Sequence, residues 1–328
     1  MSDADAPPAY ATPFHTPVLC HAVLEALVTQ NAGLYVDATL GGGGHSAALL
    51  GRLESGGSVV GLDQDEAALA EASARLSGDP RFRALYGNFG RLEALLSAES
   101  IAHVDGLLLD LGVSSHQLDM PQRGFSHRLD APLDMRMDMH MARTAGDIVN
   151  TFTEAELRQV LYTWGEESRA RSICRAIVRA RPLATTTELA SVVRGAVPRR
   201  HEAKTLARVF QAIRIAVNGE LASLESVLEA AARVVRPGGR MVVISYHSLE
   251  DRRVKRMFRH GNLQGEPVRD VYGTPINPWR ALTRKLVSPS DAEIAANPRA
   301  RSARLRAAER TSASNQHANH AHAINTTP

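Results

Sequence analysis

Two carboxylates and a run of four glycines have the types and spacing of a nucleoside-binding site. Asp37 ends a short apolar stretch and is followed by the glycines at 41–44, and Asp63 ends the next apolar stretch along the chain. Consecutive glycines let a backbone turn tightly and approach a ligand closely. A carboxylate in the position of Asp63 accepts hydrogen bonds from ribose hydroxyls. The pattern therefore predicts a pocket for a cofactor that contains a nucleoside.

The acid before the glycine turn favours one class of cofactor over another. The dinucleotide fingerprint of dehydrogenases needs a third glycine, where this chain has Ser46. Asp37 would repel a pyrophosphate but attract a cofactor that carries an ammonium and a sulfonium group. We therefore expect S-adenosylmethionine. An NAD-linked oxidoreductase is the main alternative, and a structural turn without a ligand is the other.

Two further residues follow predicted strands and belong to the same candidate pocket. Phe89 follows the third predicted strand, where it would either cover the adenine ring or pack in the core. Asp110 ends an almost continuously apolar run, 104–111. A buried carboxylate without a partner is costly, so we expect Asp110 to have a function. Asp63 has a second interpretation as a helix cap, although Asp65 is better placed for that role.

These residues need a sheet to bring them together, and the chain has the pattern of one. Strands are predicted at 35–39, 59–63, 82–86, 104–111 and 240–245, with helices at 45–53, 66–76, 91–96, 220–235 and 250–259. Residues 303–309 would add a strand or a helical turn. This alternation predicts a doubly wound α/β sheet, in which the carboxyl ends of parallel strands share one edge.

The alternation is interrupted by a long helical region. After an irregular loop at 115–141 the sequence predicts only helices, at 153–162, 168–181, 187–193 and 204–217. So long a connection indicates an inserted subdomain. We place the insertion at 116–218, the two parts of the α/β domain at 15–115 and 219–310, and a disordered leader and tail at 1–14 and 311–328.

Composition and charge exclude some classes of protein and favour a nucleic-acid partner. No run of eighteen apolar residues is present, so we expect no membrane span. The two cysteines, Cys20 and Cys174, have neither the spacing of metal ligands nor that of a disulfide. Residues 250–310 hold fourteen Lys and Arg against seven Asp and Glu. Such a block suits either a phosphate backbone or a solvated face.

The best RNA-binding candidates lie on the predicted basic helix at 250–259. They are Arg252, Arg253, Lys255 and Arg256. A second set of arginines, at 123, 128 and 136, is interleaved with aspartates, so internal salt bridges are an equally good interpretation there.

Seven segments of the chain together resemble one protein family. They are 15–19 (HTPVL), 37–45 (DATLGGGGH), 107–115 (LLLDLGVSS), 122–126 (QRGFS), 132–138 (PLDMRMD), 210–220 (FQAIRIAVNGE) and 244–253 (ISYHSLEDRR). The family is the bacterial ribosomal RNA small subunit methyltransferase H, a 16S ribosomal RNA cytosine-N4 methyltransferase. The resemblance extends from about residue 15 to residue 310.

The resemblance implies a class I S-adenosylmethionine-dependent fold with a helical insertion that recognises the substrate. It also implies a cytoplasmic enzyme that methylates one cytidine in the decoding region of 16S ribosomal RNA, with the small ribosomal subunit as the expected partner. The cofactor contacts of the family correspond in this chain to Gly43, Gly44, His45, Asp63, Phe89, Asp110 and Gln117. A catalytically silent RNA-binding or assembly factor is the alternative within this class.

The chain departs from many other amino-methyltransferases at the end of the fourth strand. Those enzymes have an acidic or polar residue followed by two prolines and an aromatic, whereas here Asp110 is followed by Leu, Gly and Val. Asp110 would hold the cofactor, accept a hydrogen bond from the target amine, or do both. The target base needs another stacking partner, for which Phe125, Tyr246 and His247 are candidates. We expect Asp110 and His247 to be the catalytic residues.

Overall fold

A seven-stranded sheet forms the centre of the α/β part of the molecule. The computed structural model describes residues 17–114, 117–118, 120–283 and 285–313. The strands are β1 (Leu34–Asp37), β2 (Ser58–Asp63), β3 (Phe82–Tyr86), β4 (Val104–Asp110), β5 (Val235–Ser245), β6 (Trp279–Ala281) and β7 (Arg304–Arg310). Their order in the sheet is β3-β2-β1-β4-β5-β7-β6, with β1 to β5 parallel and β7 antiparallel to both of its neighbours.

Helices connect the strands of this sheet. They are α1 (Cys20–Leu27), α2 (Gly44–Arg52), α3 (Glu66–Leu76), α4 (Leu92–Ala98), α10 (Glu220–Val234), α11 (Ser248–His260) and α12 (Asp291–Ala296). From β1 the order runs outward through β2 and β3, and from β4 it runs in the opposite direction. The switch point therefore lies between β1 and β4, where open α/β sheets bind ligands outside the carboxyl ends of their strands.

Burial explains why the central strands have so few polar residues. Leu107, Leu108 and Leu109 are successive residues of β4, and none of them has any solvent exposure. Successive side chains of a strand point to opposite faces, so both faces of the sheet are covered at this strand. The predicted doubly wound α/β class is confirmed.

The chain separates into two compact units. One comprises the residues up to Gly112 together with those from Ser223 onward, and the other is Val113–Ala222. The second unit contains α5 (Ala145–Thr151), α6 (Glu154–Thr163), α7 (Ala170–Ala180), α8 (Thr186–Gly195) and α9 (Glu202–Asn218). The limits predicted from the sequence, 116 and 218, differ from these by a few residues.

Local sequence signals explain where the helices of this second unit begin. Thr153 caps α6, and its side chain and that of Glu156 satisfy each other's backbone N–H groups. Thr185 and Glu188 form the same capping box at α8. The helices bury a shared apolar core that includes Ile148, Leu161, Ile173, Ile177 and Phe210.

The structure contains elements that the sequence did not predict, namely α1, α5, α12 and β6. Strand β5 begins at Val235, although the sequence suggested a helix end and a turn up to residue 239. Of the two alternatives predicted for residues 303–309, the structure has the strand, β7 (Arg304–Arg310). The predicted leader at 1–14 and residues 314–328 of the predicted tail lie outside the described residues.

Candidate active site

The glycine turn and Asp63 form one hydrogen-bonded unit at the carboxyl edge of the sheet. The turn leaves β1 with Gly41 at a φ of 50° and Gly43 at a φ of 76°, which are left-handed values that a side chain disfavours. The backbone N–H of Gly41 donates to Oδ2 of Asp63 over 2.8 Å. The strand-end carboxylate thus fixes the first residue of the turn, and α2 begins at Gly44.

Asp37 lies beneath this turn and has no solvent exposure. Its Oδ2 accepts from the Ser46 hydroxyl over 2.8 Å, and its Oδ1 accepts from the backbone N–H of Thr39 over 3.3 Å. Burial raises the pKa of this carboxyl above its ordinary value, and attraction to His45 opposes that rise. A ligand cannot touch Asp37 in this arrangement, so a role in cofactor binding would be exerted through its charge.

Asp63 is partly exposed and keeps acceptor capacity for a ligand. Its Oδ1 accepts from the backbone N–H of Asp65 over 2.9 Å and its Oδ2 from Gly41, which leaves one lone pair on each oxygen. Burial raises the pKa of Asp63 to about 6, although both backbone hydrogen bonds lower it. Asp65, and not Asp63, caps α3 through the N–H of Ala67, as the sequence indicated.

Asp110 belongs to a small network with a histidine and a tyrosine. The Tyr246 hydroxyl donates to Oδ1 of Asp110 over 2.9 Å, and Nε2 of His45 lies 3.4 Å from Oδ2. Contrary to expectation, Asp110 is not buried, because 23% of its side chain is exposed. The fully buried carboxylate of this edge is Asp37 instead.

The network holds a positive charge on His45. Burial alone would lower the pKa of this imidazole, but the Asp110 carboxylate, 3.4 Å from Nε2, and the charge of Asp37 raise it to about 10. The ring is therefore protonated at neutral pH. Burial and the neighbouring Asp110 raise the pKa of Tyr246, so its hydroxyl stays protonated and remains a donor.

Two other predicted cofactor residues, Phe89 and Gln117, belong to different units of the chain. Phe89 begins a short 3₁₀ turn after β3, is partly buried and packs against the core of the α/β unit. Asn88 caps that turn and donates to the side chain of Gln64 over 2.7 Å. Gln117 belongs to the helical unit, where its side chain accepts from the backbone N–H of Ser114 over 3.0 Å.

The position of His247 at the start of α11 accounts for the contacts of its side chain. It is the N-cap residue of α11, with Nδ1 accepting from the backbone N–H of Glu250 and Nε2 lying 3.1 Å from Oε1 of Glu250. The Glu250 carboxylate in turn accepts from the N–H groups of Tyr246 and His247. A catalytic role of His247 stays a prediction, and the helix cap explains the residue without one.

One of the four predicted RNA-binding side chains of α11 forms an ion pair within the chain. Arg253 pairs with Glu225 over 2.6 Å and donates to the carbonyl of Leu249. Lys255 and Arg256 are exposed, as is Arg252. The exposed cationic side chains of α11 are therefore those three members of the predicted set and Arg259.

Two loop arginines are held internally. Arg136 pairs with Asp134 over 2.7 Å. Arg123 is buried and donates to the carbonyls of Arg136 and Met137. The salt-bridge interpretation of this loop therefore holds at Arg136, whereas Arg123 donates to backbone carbonyls.

Sequence reasoning did not identify the contact between Asp110 and Tyr246. A signal for it exists, because β4 and β5 are adjacent and Asp110 is paired with Ile244 in the register of the sheet. A residue just beyond Ile244 therefore reaches the edge beside Asp110. The strand order was needed to use that signal, and the sequence alone did not provide it.

The described residues also show the state of the cysteines and the character of the helices and acidic clusters. Cys20 and Cys174 are buried free thiols. Within ranges 17–114, 117–118, 120–283 and 285–313, no helix has the length and apolar content to cross a membrane. The same residues contain no group of three or more metal-ligating side chains.

Comparison with known proteins gives a consistent match over most of the chain. The model of a family described as the MraW methylase family matches residues 12–311. A ribosomal RNA small subunit methyltransferase H of Flavobacterium johnsoniae is 46% identical over 300 residues, which cover 90% of this chain and 98% of the relative. The protein of the same description in Amoebophilus asiaticus is 44% identical over 301 residues, covering 91% of this chain and 96% of the relative.

Proposed function

The chain belongs to the MraW methylase family, and we propose that it methylates the exocyclic N4 amine of one cytidine in the decoding region of 16S ribosomal RNA. Its fold is that of the class I methyltransferases, and its methyl donor is S-adenosylmethionine. The names of the relatives support ribosomal RNA of the small subunit as the substrate. The choice of cytidine N4 is supported by the seven sequence segments that resemble the cytosine-N4 enzymes.

One observation carries this proposal, namely the two accessible carboxylates at the switch point of the sheet. Asp63 and Asp110 end the strands on either side of β1, and each has exposed surface and unused acceptor capacity. Asp63 would accept from the two ribose hydroxyls of the donor. Asp110 and the buried charge of Asp37 would attract its cationic methionine part. The site therefore fits a positively charged nucleoside better than a pyrophosphate.

The bound donor supplies an electrophilic methyl group on a positively charged sulfur. A cytosine amine is a weak nucleophile because its lone pair is delocalised into the ring. Asp110 would accept one N–H of the amine, so that the nitrogen becomes more tetrahedral and its lone pair points at the methyl carbon. Held by Asp63 and Asp110, the donor would supply this methyl group for a new N–C bond, and the electrons of its S–C bond would pass to sulfur. The proton then leaves the methylated amine for water.

Tyr246 and His45 would position Asp110 for this role. They contact different oxygens of the carboxylate, at 2.9 and 3.4 Å. With both oxygens oriented, only the remaining lone pairs face the reacting groups.

On the RNA side, we propose that the helical unit recognises the substrate and that α11 contributes Arg252, Lys255 and Arg256 to the interface. Replacing Lys255 and Arg256 with Gln should weaken binding to the RNA. It should also reduce the slope of log affinity against log salt by about 1.4, or 0.7 for each lost phosphate contact. A slope equal to that of the original protein would remove α11 from the interface.

Methyl transfer from labelled S-adenosylmethionine tests the proposed function. We expect label in 16S ribosomal RNA when the enzyme is incubated with unmethylated small subunits, and N4-methylcytidine after digestion to nucleosides. Parallel reactions use free 16S ribosomal RNA and large subunits. Binding of small subunits without any transfer would support the assembly-factor alternative, and label on another nucleoside would contradict the assignment of the amine.

A further inference from the structure

The solvent face of α7 carries a row of arginines that folding does not use. Arg171, Arg175 and Arg179 recur every four residues, and all three are exposed. The opposite face of the same helix, with Ile173 and Ile177, is buried in the core of the helical unit. Positions four apart lie on one face of a helix, so the three guanidinium groups form a single stripe.

The charge of this stripe is uncompensated. From residue 168 to residue 187 the sequence has five arginines and no Asp or Glu. In the described part of the chain, Arg171, Arg175 and Arg179 form no ion pair and no side-chain hydrogen bond. Like charges at this spacing disfavour a helix. Apart from Arg179, whose charge is favourable in the last turn of the helix, the stripe therefore adds nothing to the stability of α7 that would explain it.

Several other exposed arginines of the chain differ from those of α7 in having an ion-pair partner. Each of the following has a carboxylate partner within 2.7 Å: Arg83 with Glu99, Arg233 with Glu93, and Arg280 with Glu309. The guanidinium groups of these arginines form ion pairs within the chain. The α7 arginines, in contrast, are available to an anionic partner from outside the chain.

We propose that Arg171, Arg175 and Arg179 form a phosphate-binding stripe that holds the backbone of the RNA substrate, a proposal that rests on the proposed function. Successive arginines are about 6 Å apart along the helix axis, and the stripe is about 12 Å long. A row of this spacing suits successive phosphates of one strand. Guanidinium groups bind phosphate oxygens through two parallel hydrogen bonds.

The stripe would position the RNA and not select its sequence. Contacts to phosphates fix the register and orientation of a nucleic acid, whereas contacts to base edges carry sequence information. The three arginines should therefore affect affinity for any RNA of suitable shape. The choice of the target cytidine would remain with the residues at the sheet edge.

A triple variant with a matched control tests the stripe. The test variant is R171Q/R175Q/R179Q, and the control is R83Q/R233Q/R280Q, which removes the same amount of charge from paired arginines. Affinity for small subunits and for free 16S ribosomal RNA is measured between 50 and 200 mM salt. We expect the test variant to lower the salt slope by about 2, so that its loss of affinity is about twentyfold larger at 50 mM than at 200 mM.

Further measurements separate the possible outcomes. We expect the test variant to unfold at the original temperature and to bind S-adenosylmethionine with unchanged affinity, and R171K/R175K/R179K to retain the salt slope. An unchanged slope in the Gln variant, or an equal change in the control, would overturn the stripe. Failure of the unsubstituted protein to methylate small subunits would instead contradict the proposed function, and leaves the slope comparison valid.

Discussion

The ionisation state of Asp63 should control cofactor binding. Burial raises its pKa to about 6, so the fraction that is ionised falls as the pH falls through this value. If only the carboxylate binds the ribose hydroxyls, about one tenth of the protein is competent at pH 5, and the apparent affinity for S-adenosylmethionine falls about tenfold from its value at high pH.

Calorimetric titration of the protein with S-adenosylmethionine between pH 5 and pH 8 measures this dependence. Asp63→Asn should bind weakly at every pH and lose the change near pH 6. Asp79→Asn is a suitable control, because Asp79 pairs with Arg81 on the surface. A pH dependence that persists in Asp63→Asn would assign the titration to a different group.

Tyr246 should matter for turnover because it orients Asp110. Tyr246→Phe removes only the hydroxyl that donates to Oδ1 of Asp110. Hydrogen bonds to charged groups contribute about 1.5–3 kcal/mol, so we expect the rate of methyl transfer to fall by about 10- to 100-fold. Affinity for S-adenosylmethionine should fall less, since Asp63 is unchanged.

Single-turnover rates and cofactor affinities of the variant test this assignment. Tyr162→Phe is the matched control, because Tyr162 is an exposed tyrosine of α6 and should tolerate the change. If Tyr246→Phe methylates RNA at the rate of that control, the hydroxyl does not position Asp110. An equal loss of rate and affinity would make it a cofactor residue instead.

At the scale of single elements, α11 depends on its cap. His247→Ala should lower the free energy of unfolding by about 1 kcal/mol, because the backbone N–H of Glu250 loses its acceptor. Asn is a good N-cap residue, so His247→Asn should recover most of that loss. Denaturant unfolding of both variants gives the two free energies.

The same pair of variants decides whether His247 has a second role. If the histidine only caps the helix, His247→Asn should recover turnover together with stability. Full stability with low turnover in His247→Asn would show that the imidazole acts on the substrate, as the sequence analysis expected.

Regular elements with strong local signals could be predicted from the sequence, and those that depend on context could not. Helix α3 and strand β3 have the predicted limits because an N-cap, apolar spacing and bounding turns all agree. Helix α5 was missed because it has only seven residues and Asp147, instead of Glu or Gln, in its capping box. Strand β5 begins early because Val235 pairs with Val104 of β4, ahead of a shift in register before Arg240, which local propensity does not reveal.

In the candidate site, too, residues next to a strand signal could be predicted, and contacts between segments distant in sequence could not. The glycine turn, Asp63 and Asp110 were identified because each follows a strand signal directly. The burial of Asp37 and its bond to Ser46 depend on how α2 packs over β1, so the sequence predicted the residue but not its inaccessibility. The contact of Tyr246 with Asp110 joins residues 136 positions apart and required the order of the strands.

At the scale of the whole molecule, the order of the chain links chemistry to substrate recognition. The helical unit, Val113–Ala222, is inserted directly after the strand that ends in Asp110. The α/β unit supplies the carboxylates of the sheet edge, and the inserted unit supplies the arginine stripe of α7. The proposed division of work is cofactor binding by the α/β unit and attachment of RNA by the inserted unit, with further RNA contacts from α11 of the α/β unit.

The most direct test of this account is a crystal structure of the protein with S-adenosylmethionine bound. We predict that both ribose hydroxyls lie within hydrogen-bonding distance of the Asp63 carboxylate and that the methionine part lies beside Asp110, at the switch point between β1 and β4. A donor bound at any other edge of the molecule, or with its ribose away from Asp63, would contradict the account.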